Sequence, residues 1–198
     1  MIIGLTGGIA CGKSTVGAML IELGALLVDA DHTAREVVLP GEKALDSIVE
    51  RFGQAVLNAD GTLNRAALGQ KVFGAKELLE QLESILHPAI RERMQAKIEE
   101  YKRSFPGRLI VADIPLLFET GQDARYEGVM VVYIPREMQI RRLMERNHMP
   151  MEEAMRRVDL QMDIEEKKKR ADWLIDNSGT REQTRAQVER FWKEMRFS

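Results

Sequence analysis

The sequence predicts an α/β protein with three layers around a five-stranded parallel sheet, and three observations carry that reading. Five short apolar runs recur along the chain, intervals of helical periodicity separate them, and the first run ends in glycines that lead straight into a helical pattern. Strands that alternate with helices join as βαβ units, which makes their sheet parallel.

The first run, Ile2 to Leu5, is followed by a helical stretch from Lys13 to Leu23 with Val16, Met19, Leu20 and Leu23 at helical spacing. Gly24 closes that helix, where a left-handed C-cap costs glycine little. The second strand is Leu26 to Asp29, in "ALLVDAD". The other three lie in "LIVADIP" (Leu109 to Pro115), "VMVVYIP" (Val129 to Pro135) and "DWLID" (Asp172 to Asp176). Between the second and third strands, Ala30 to Arg108 is helical in pattern, with turns at "LPGE" and "NADG" and an N-cap at Asn64. Its last helix is expected from about Pro88 to Arg103, with Ile90, Met94, Ile98 and Tyr101 on one stripe. A second charged helical interval, Arg136 to Arg170, breaks at "NHMP", and Glu182 to Met195 closes the chain. One domain over 1–198 follows: a core of about 1–31, 108–135 and 171–198, a helical insertion of about 32–107 and a lid of about 136–170.

Composition narrows the function. Apolar residues at 44% and charged residues at 30% suit a globular chain with a real core and argue against disorder. A net charge of −2 gives no broad basic field, so any anion site is local and nucleic acid is not an expected partner. Cys11 is the sole cysteine, which excludes an internal disulfide, and no Cys/His group has zinc spacing. The apolar N-terminus is too short and uncharged for a signal peptide, and no run approaches the ~18 apolar residues of a membrane span. A cytoplasmic protein without a membrane partner is the expectation.

Chemistry concentrates in "LTGGIACGKST", Leu5 to Thr15. Gly7, four residues, then Gly12-Lys13-Ser14 satisfies GxxxxGK[ST] between a predicted strand and a predicted helix. In such a loop the backbone amides of Gly8, Ile9, Ala10, Cys11, Gly12, Lys13, Ser14 and Thr15 curl around the phosphates of ATP, aided by the helix N-terminus. Lys13 would reach the β and γ phosphates, Ser14 would ligate Mg²⁺, and Thr15 would meet the α phosphate. Asp31, at the end of "DAD", suits a general base toward an attacking hydroxyl, with Asp29 orienting water on the metal. The alternative for Asp31 is a cap on a helix from Thr33 to Val38. "LIVAD" has the form of a strand ending in a metal-binding acid, Asp113, although many buried strands end so. Arg141, Arg142, Arg146, Arg156 and Arg157 crowd the last long helical interval, either as a phosphate-clamping lid or as a solvated face paired with its glutamates.

With "DAD", "HPAIR" (His87 to Arg91), "PLLFE" (Pro115 to Glu119) and "ADWLIDNSG" (Ala171 to Gly179) joined to the phosphate loop, the chain resembles the dephospho-CoA kinase family from about Ile3 to Gly179. The resemblance implies a phosphate-loop kinase fold and transfer of the ATP γ-phosphoryl group to the 3′-hydroxyl of dephospho-CoA, with Mg²⁺. By position it implies Asp31 as base, Lys13 and Arg142 as further catalytic groups, and Thr6, Asp31, His87, Arg91, Leu117, Phe118 and Glu119 as acceptor-binding. Ser14 and Asp113 would serve the metal. The rivals are another small-molecule kinase, of nucleoside monophosphate or shikimate type, and a non-catalytic nucleotide-binding regulator. Cys11 stands where similar proteins commonly have serine; at a helix N-terminus beside Lys13 it is expected to have a lowered pKa and a reactive thiol.

Overall fold

The computed structural model describes residues 1–195 and 197, and it divides into two compact units, Asp29–Glu100 and the remainder. The larger unit holds the sheet: β1 (Ile2–Gly7), β2 (Leu26–Asp29, ending at the division), β3 (Ile110–Asp113), β4 (Val129–Tyr133) and β5 (Trp173–Asp176). All five strands are parallel, in the order β2-β3-β1-β4-β5. β1 is therefore central, and Leu5 lies opposite Asp113 on one side and Met130 on the other.

The apolar runs form strands because both sheet faces are covered, which favours continuous Val, Ile and Leu over alternation. Ile3, Leu5, Leu109, Val111, Met130 and Val132 enter one core with Val16, Met19 and Leu20 of α1 (Lys13–Glu22) and Val188, Phe191 and Trp192 of α9 (Arg181–Glu194). Gly24, at φ 112, ends α1 as expected, and Thr180 opens α9 with a reciprocal capping box to Gln183. Between β4 and β5 the chain makes α6 (Arg136–Asn147), α7 (Met151–Asp159) and α8 (Ile164–Lys169). The expected break at "NHMP" is present: His148 takes φ 50 and Pro150 caps α7.

The smaller unit contains α2 (Ala30–Glu36), α3 (Lys43–Phe52), α4 (Arg65–Val72) and most of α5 (Lys76–Ser104). Its own core joins Val37, Ile48, Phe52, Val56, Leu68 and Leu82. Asn64 caps α4 by accepting from the Ala67 amide at 3.0 Å. Two expectations need correcting here. The last helix does not begin near Pro88; α5 runs through that proline from Lys76, and the missing amide is tolerated because Leu82, Ile85, Leu86 and Ile90 on either side pack into the unit's core. Nor does Asp31 cap a helix from Thr33: α2 starts at Ala30, capped by Asp29, whose carboxylate accepts from the His32 amide at 2.8 Å. Among the described residues no helix is long and apolar enough to cross a membrane.

Candidate active site

The glycine-rich loop leaves the C-terminal end of the central strand and enters α1 at Lys13. Gly12 sits at φ 83, a left-handed conformation, and a Cβ there would run into the Asn177 amide. That amide belongs to the site: Asn177, just past β5, donates to Cys11 O at 2.8 Å and accepts from Thr184 Oγ1 at 2.8 Å. The loop's shape is thus fixed from the end of β5, two strands away from β1. Among the described residues, the amides of Ala10, Gly12 and Ser14 donate to no protein group, which leaves them for an anion at a helix N-terminus.

Lys13 Nζ donates to Asp113 Oδ1. Asp113 is 4% exposed at the end of β3, and burying a carboxylate beside an ammonium is far cheaper than burying it alone. The sheet order produces the pair: β3 adjoins β1, so the acid ending one meets the lysine following the other. Arg142 on α6 donates to Asn177 O at 3.0 Å, one residue removed from the loop carbonyl that Asn177 holds. The other arginines of that interval lie further out; Arg146 bonds Asn147 and Arg157 bonds Glu153.

A lysine that sequence reasoning passed over is the best-buried cation of the described chain. Lys167 on α8 is 0% exposed, and its ammonium donates to Gly7 O at 3.3 Å and Pro115 O at 3.1 Å and lies 2.8 Å from Glu119 Oε1. Three donors meet three acceptors, so the charge is satisfied in place. Glu119 also accepts from the Met162 amide at 2.9 Å. The group ties the end of β1, the exit of β3 and the "PLLFE" segment into one frame. The available signal was weak: Lys167 follows Ile164 by one helical turn, so both share the inward face.

The remaining expected residues fall in several places. Thr6 is fully buried and its hydroxyl donates to Pro115 O at 3.0 Å. Leu117 is buried beside Gly4, and Phe118 is buried with the Arg170 guanidinium 4.3 Å from its ring centre. In the helical unit, His87 and Arg91 are exposed one turn apart, Arg91 Nε donating to His87 O at 3.2 Å. Asp31 is exposed in the first turn of α2, and among the described residues its carboxylate takes no hydrogen bond or ion pair.

The reactive-thiol expectation for Cys11 is overturned. The residue is 1% exposed, and burial pushes its thiol up from the ordinary 9.0 to about 11, outweighing the nearby Lys13 amide and charge. Alkylation by iodoacetamide at pH 8 should be slow for the folded protein and fast in denaturant; comparable rates would contradict the burial. The unfolded chain releases this proton near pH 9 while the folded one keeps it to about 11. Between those values the unfolded state binds fewer protons, so this group's contribution to stability falls as pH rises.

Comparison with known proteins gives a consistent picture. The family model described as dephospho-CoA kinase matches residues 1–183. A protein named dephospho-CoA kinase from Geobacillus kaustophilus (strain HTA426) is 50% identical over 188 residues, covering 95% of this chain and 93% of that protein. Among solved structures, TT1252 from Thermus thermophilus matches with a TM-score of 0.84 at 35% identity, covering 100% of this chain and 98% of that one. A dephospho-CoA kinase from Campylobacter jejuni matches with a TM-score of 0.76 at 31% identity, covering 98% and 96%.

Proposed function

The chain belongs to the dephospho-CoA kinase family, and from that premise we propose how its residues divide the work of phosphoryl transfer. The reaction moves the γ-phosphoryl group of ATP to the 3′-hydroxyl of the dephospho-CoA ribose, the last step of coenzyme A biosynthesis. The observation that carries the division of roles is the phosphate loop: open amides at Ala10, Gly12 and Ser14 beside an ammonium that Asp113 holds in place.

ATP phosphates settle in the loop of Gly8 to Thr15 on its open amides at Ala10, Gly12 and Ser14, and Lys13 turns from Asp113 toward the β and γ oxygens as they arrive. Mg²⁺ fits the donors present, an exposed Ser14 hydroxyl and the Asp113 carboxylate, because it favours a few hard oxygens with retained waters over an all-protein cage. No group of three or more His, Cys, Asp or Glu forms such a cage among the described residues. When bound, the ion supplies positive charge to the β and γ oxygens. Arg142, poised at Asn177, adds a guanidinium to the transferring group. Asp31 accepts the proton of the ribose hydroxyl, and His87, Arg91, Thr6 and the segment Leu117 to Glu119 serve the acceptor. Within that segment the buried Leu117 and Phe118 side chains set the backbone rather than offer a surface. The interval 136–170 acts as the lid, and the helical insertion holds the acceptor. A cytoplasmic setting without a nucleic-acid partner is proposed on the single cysteine and the net charge of −2.

The test is ADP release with dephospho-CoA, AMP, adenosine, shikimate or no acceptor, with mass spectrometry locating the new phosphate. Release should require dephospho-CoA and the phosphate should sit on its 3′-oxygen. Equal release without any acceptor, or phosphate on a different acceptor, would overturn the proposal.

A further inference from the structure

Ile9, within the phosphate loop, has both of its backbone polar groups held by glutamine side chains. Its amide donates to Gln161 Oε1 at 2.7 Å, and its carbonyl accepts from Gln139 Nε2 at 3.0 Å. Gln139 lies in the first turns of α6 and Gln161 follows α7, so both grips come from the open end of one helical hairpin, where its two chain ends meet. A backbone amide needs an acceptor and a carbonyl a donor, so these contacts fix which way each side-chain amide is turned.

Three further observations show that the grip shapes the loop. Gln139 is 2% exposed and lies against Gly8 so closely that a Cβ on Gly8 would strike its amide. Ala10, the next residue, is at φ 61, a left-handed conformation that alanine rarely keeps without outside support. The side chains of Ile9 and Ala10 pack on the hairpin's own apolar cluster of Ile140, Leu143, Ala154 and Val158.

A trans peptide directs its C=O and N–H to opposite sides, and there are no cis peptides among the described residues. Because Gln139 holds the Ile9 carbonyl, the Ala10 amide in the same peptide plane points away from Gln139, and it donates to no protein group. We propose that Gln139 and Gln161 are positioning residues: Gln161 holds the Gly8–Ile9 peptide and Gln139 the Ile9–Ala10 peptide that follows, so that the Ala10 amide meets a nucleotide phosphate. The inference rests on reading the loop as the ATP phosphate site, and it adds that phosphate affinity is set from the α6–α7 hairpin. Neither glutamine is assigned to the adenine base, since the amide atom each turns inward is engaged by Ile9.

Gln139→Met and Gln161→Met keep side-chain volume and remove the hydrogen bonds. Calorimetry with Mg-ATP and with inorganic tripolyphosphate, together with separate KM values for ATP and dephospho-CoA, tests the proposal. Each variant should weaken both phosphate ligands by roughly 10-fold, the effect of one lost buried hydrogen bond, while the dephospho-CoA KM stays within about twofold. If Gln139→Met does not fold, the less buried Gln161→Met supplies the same readings. Unchanged tripolyphosphate affinity would overturn the inference, whether ATP binding is unchanged, which removes the clamp, or weakened alone, which makes the contact one with the base. Equal rises in both KM values would overturn it as general loosening. Wild-type protein that binds neither ligand would overturn the reading of the loop, and the inference with it.

Discussion

Replacing Lys13 with methionine should lower kcat/KM by on the order of 10³ and weaken ATP binding, with little change in the affinity for dephospho-CoA. Methionine retains most of the stem and deletes the ammonium, so the variant isolates charge from packing. Two effects run together. The triphosphate loses the cation that offsets charge growing on the β and γ oxygens as the bond to the leaving group lengthens. Asp113, 4% exposed, loses the ammonium beside it, so some fall in melting temperature accompanies the kinetic loss. Arginine at this position should not restore activity, because a planar guanidinium presents a different fork in a loop already fitted to a point charge. Steady-state kinetics with both substrates varied, beside ATP calorimetry, separates the outcomes. A rise confined to the dephospho-CoA KM would remove Lys13 from the phosphates and overturn its role.

The parts of this molecule that sequence makes legible are those set by neighbours in the chain. The phosphate loop is one, because glycine, lysine and serine spacing fixes a strand, a turn and a helix N-terminus within a few residues. The five strands are another, since their buried runs differ from the helical intervals in length as well as in pattern. What escapes is set by distant packing. Pro88 reads as a helix start, but the helix continues through it because apolar side chains on both sides find the same core. Lys167, Lys168 and Lys169 are identical letters, yet only the first is enclosed, against Gly7 and Pro115 carbonyls far away in sequence. Cys11 sits in a loop whose local charges favour a thiolate, while its burial behind the loop decides the opposite. Gln139 and Gln161 lie far from the phosphate loop in sequence; their importance appears only when both are found on one residue, Ile9.

Asp31→Asn should reduce turnover by about 10² to 10⁴ while leaving ATP affinity within a few-fold. The substitution removes a proton acceptor and little else. Asparagine has nearly the same size, and Asp31 is exposed, with no hydrogen bond or ion pair among the described residues for the change to break. Its place in the first turn of α2 gives the negative charge a small favourable interaction with the helix N-terminus, worth about 0.3 to 1 kcal/mol, so stability should hardly move. The cap itself belongs to Asp29, and this makes Asp29→Asn a matched control. Asparagine is as good a cap as aspartate, so the control should keep its fold and most of its turnover. If a carboxylate at Asp31 takes the ribose proton, turnover should fall steeply in Asp31→Asn and be largely kept in Asp29→Asn. Single-turnover measurements with saturating ATP would place the loss in the chemical step rather than in product release. Unchanged turnover in Asp31→Asn would take the base role from this residue, and a large loss in Asp29→Asn instead would hand that role to the capping acid.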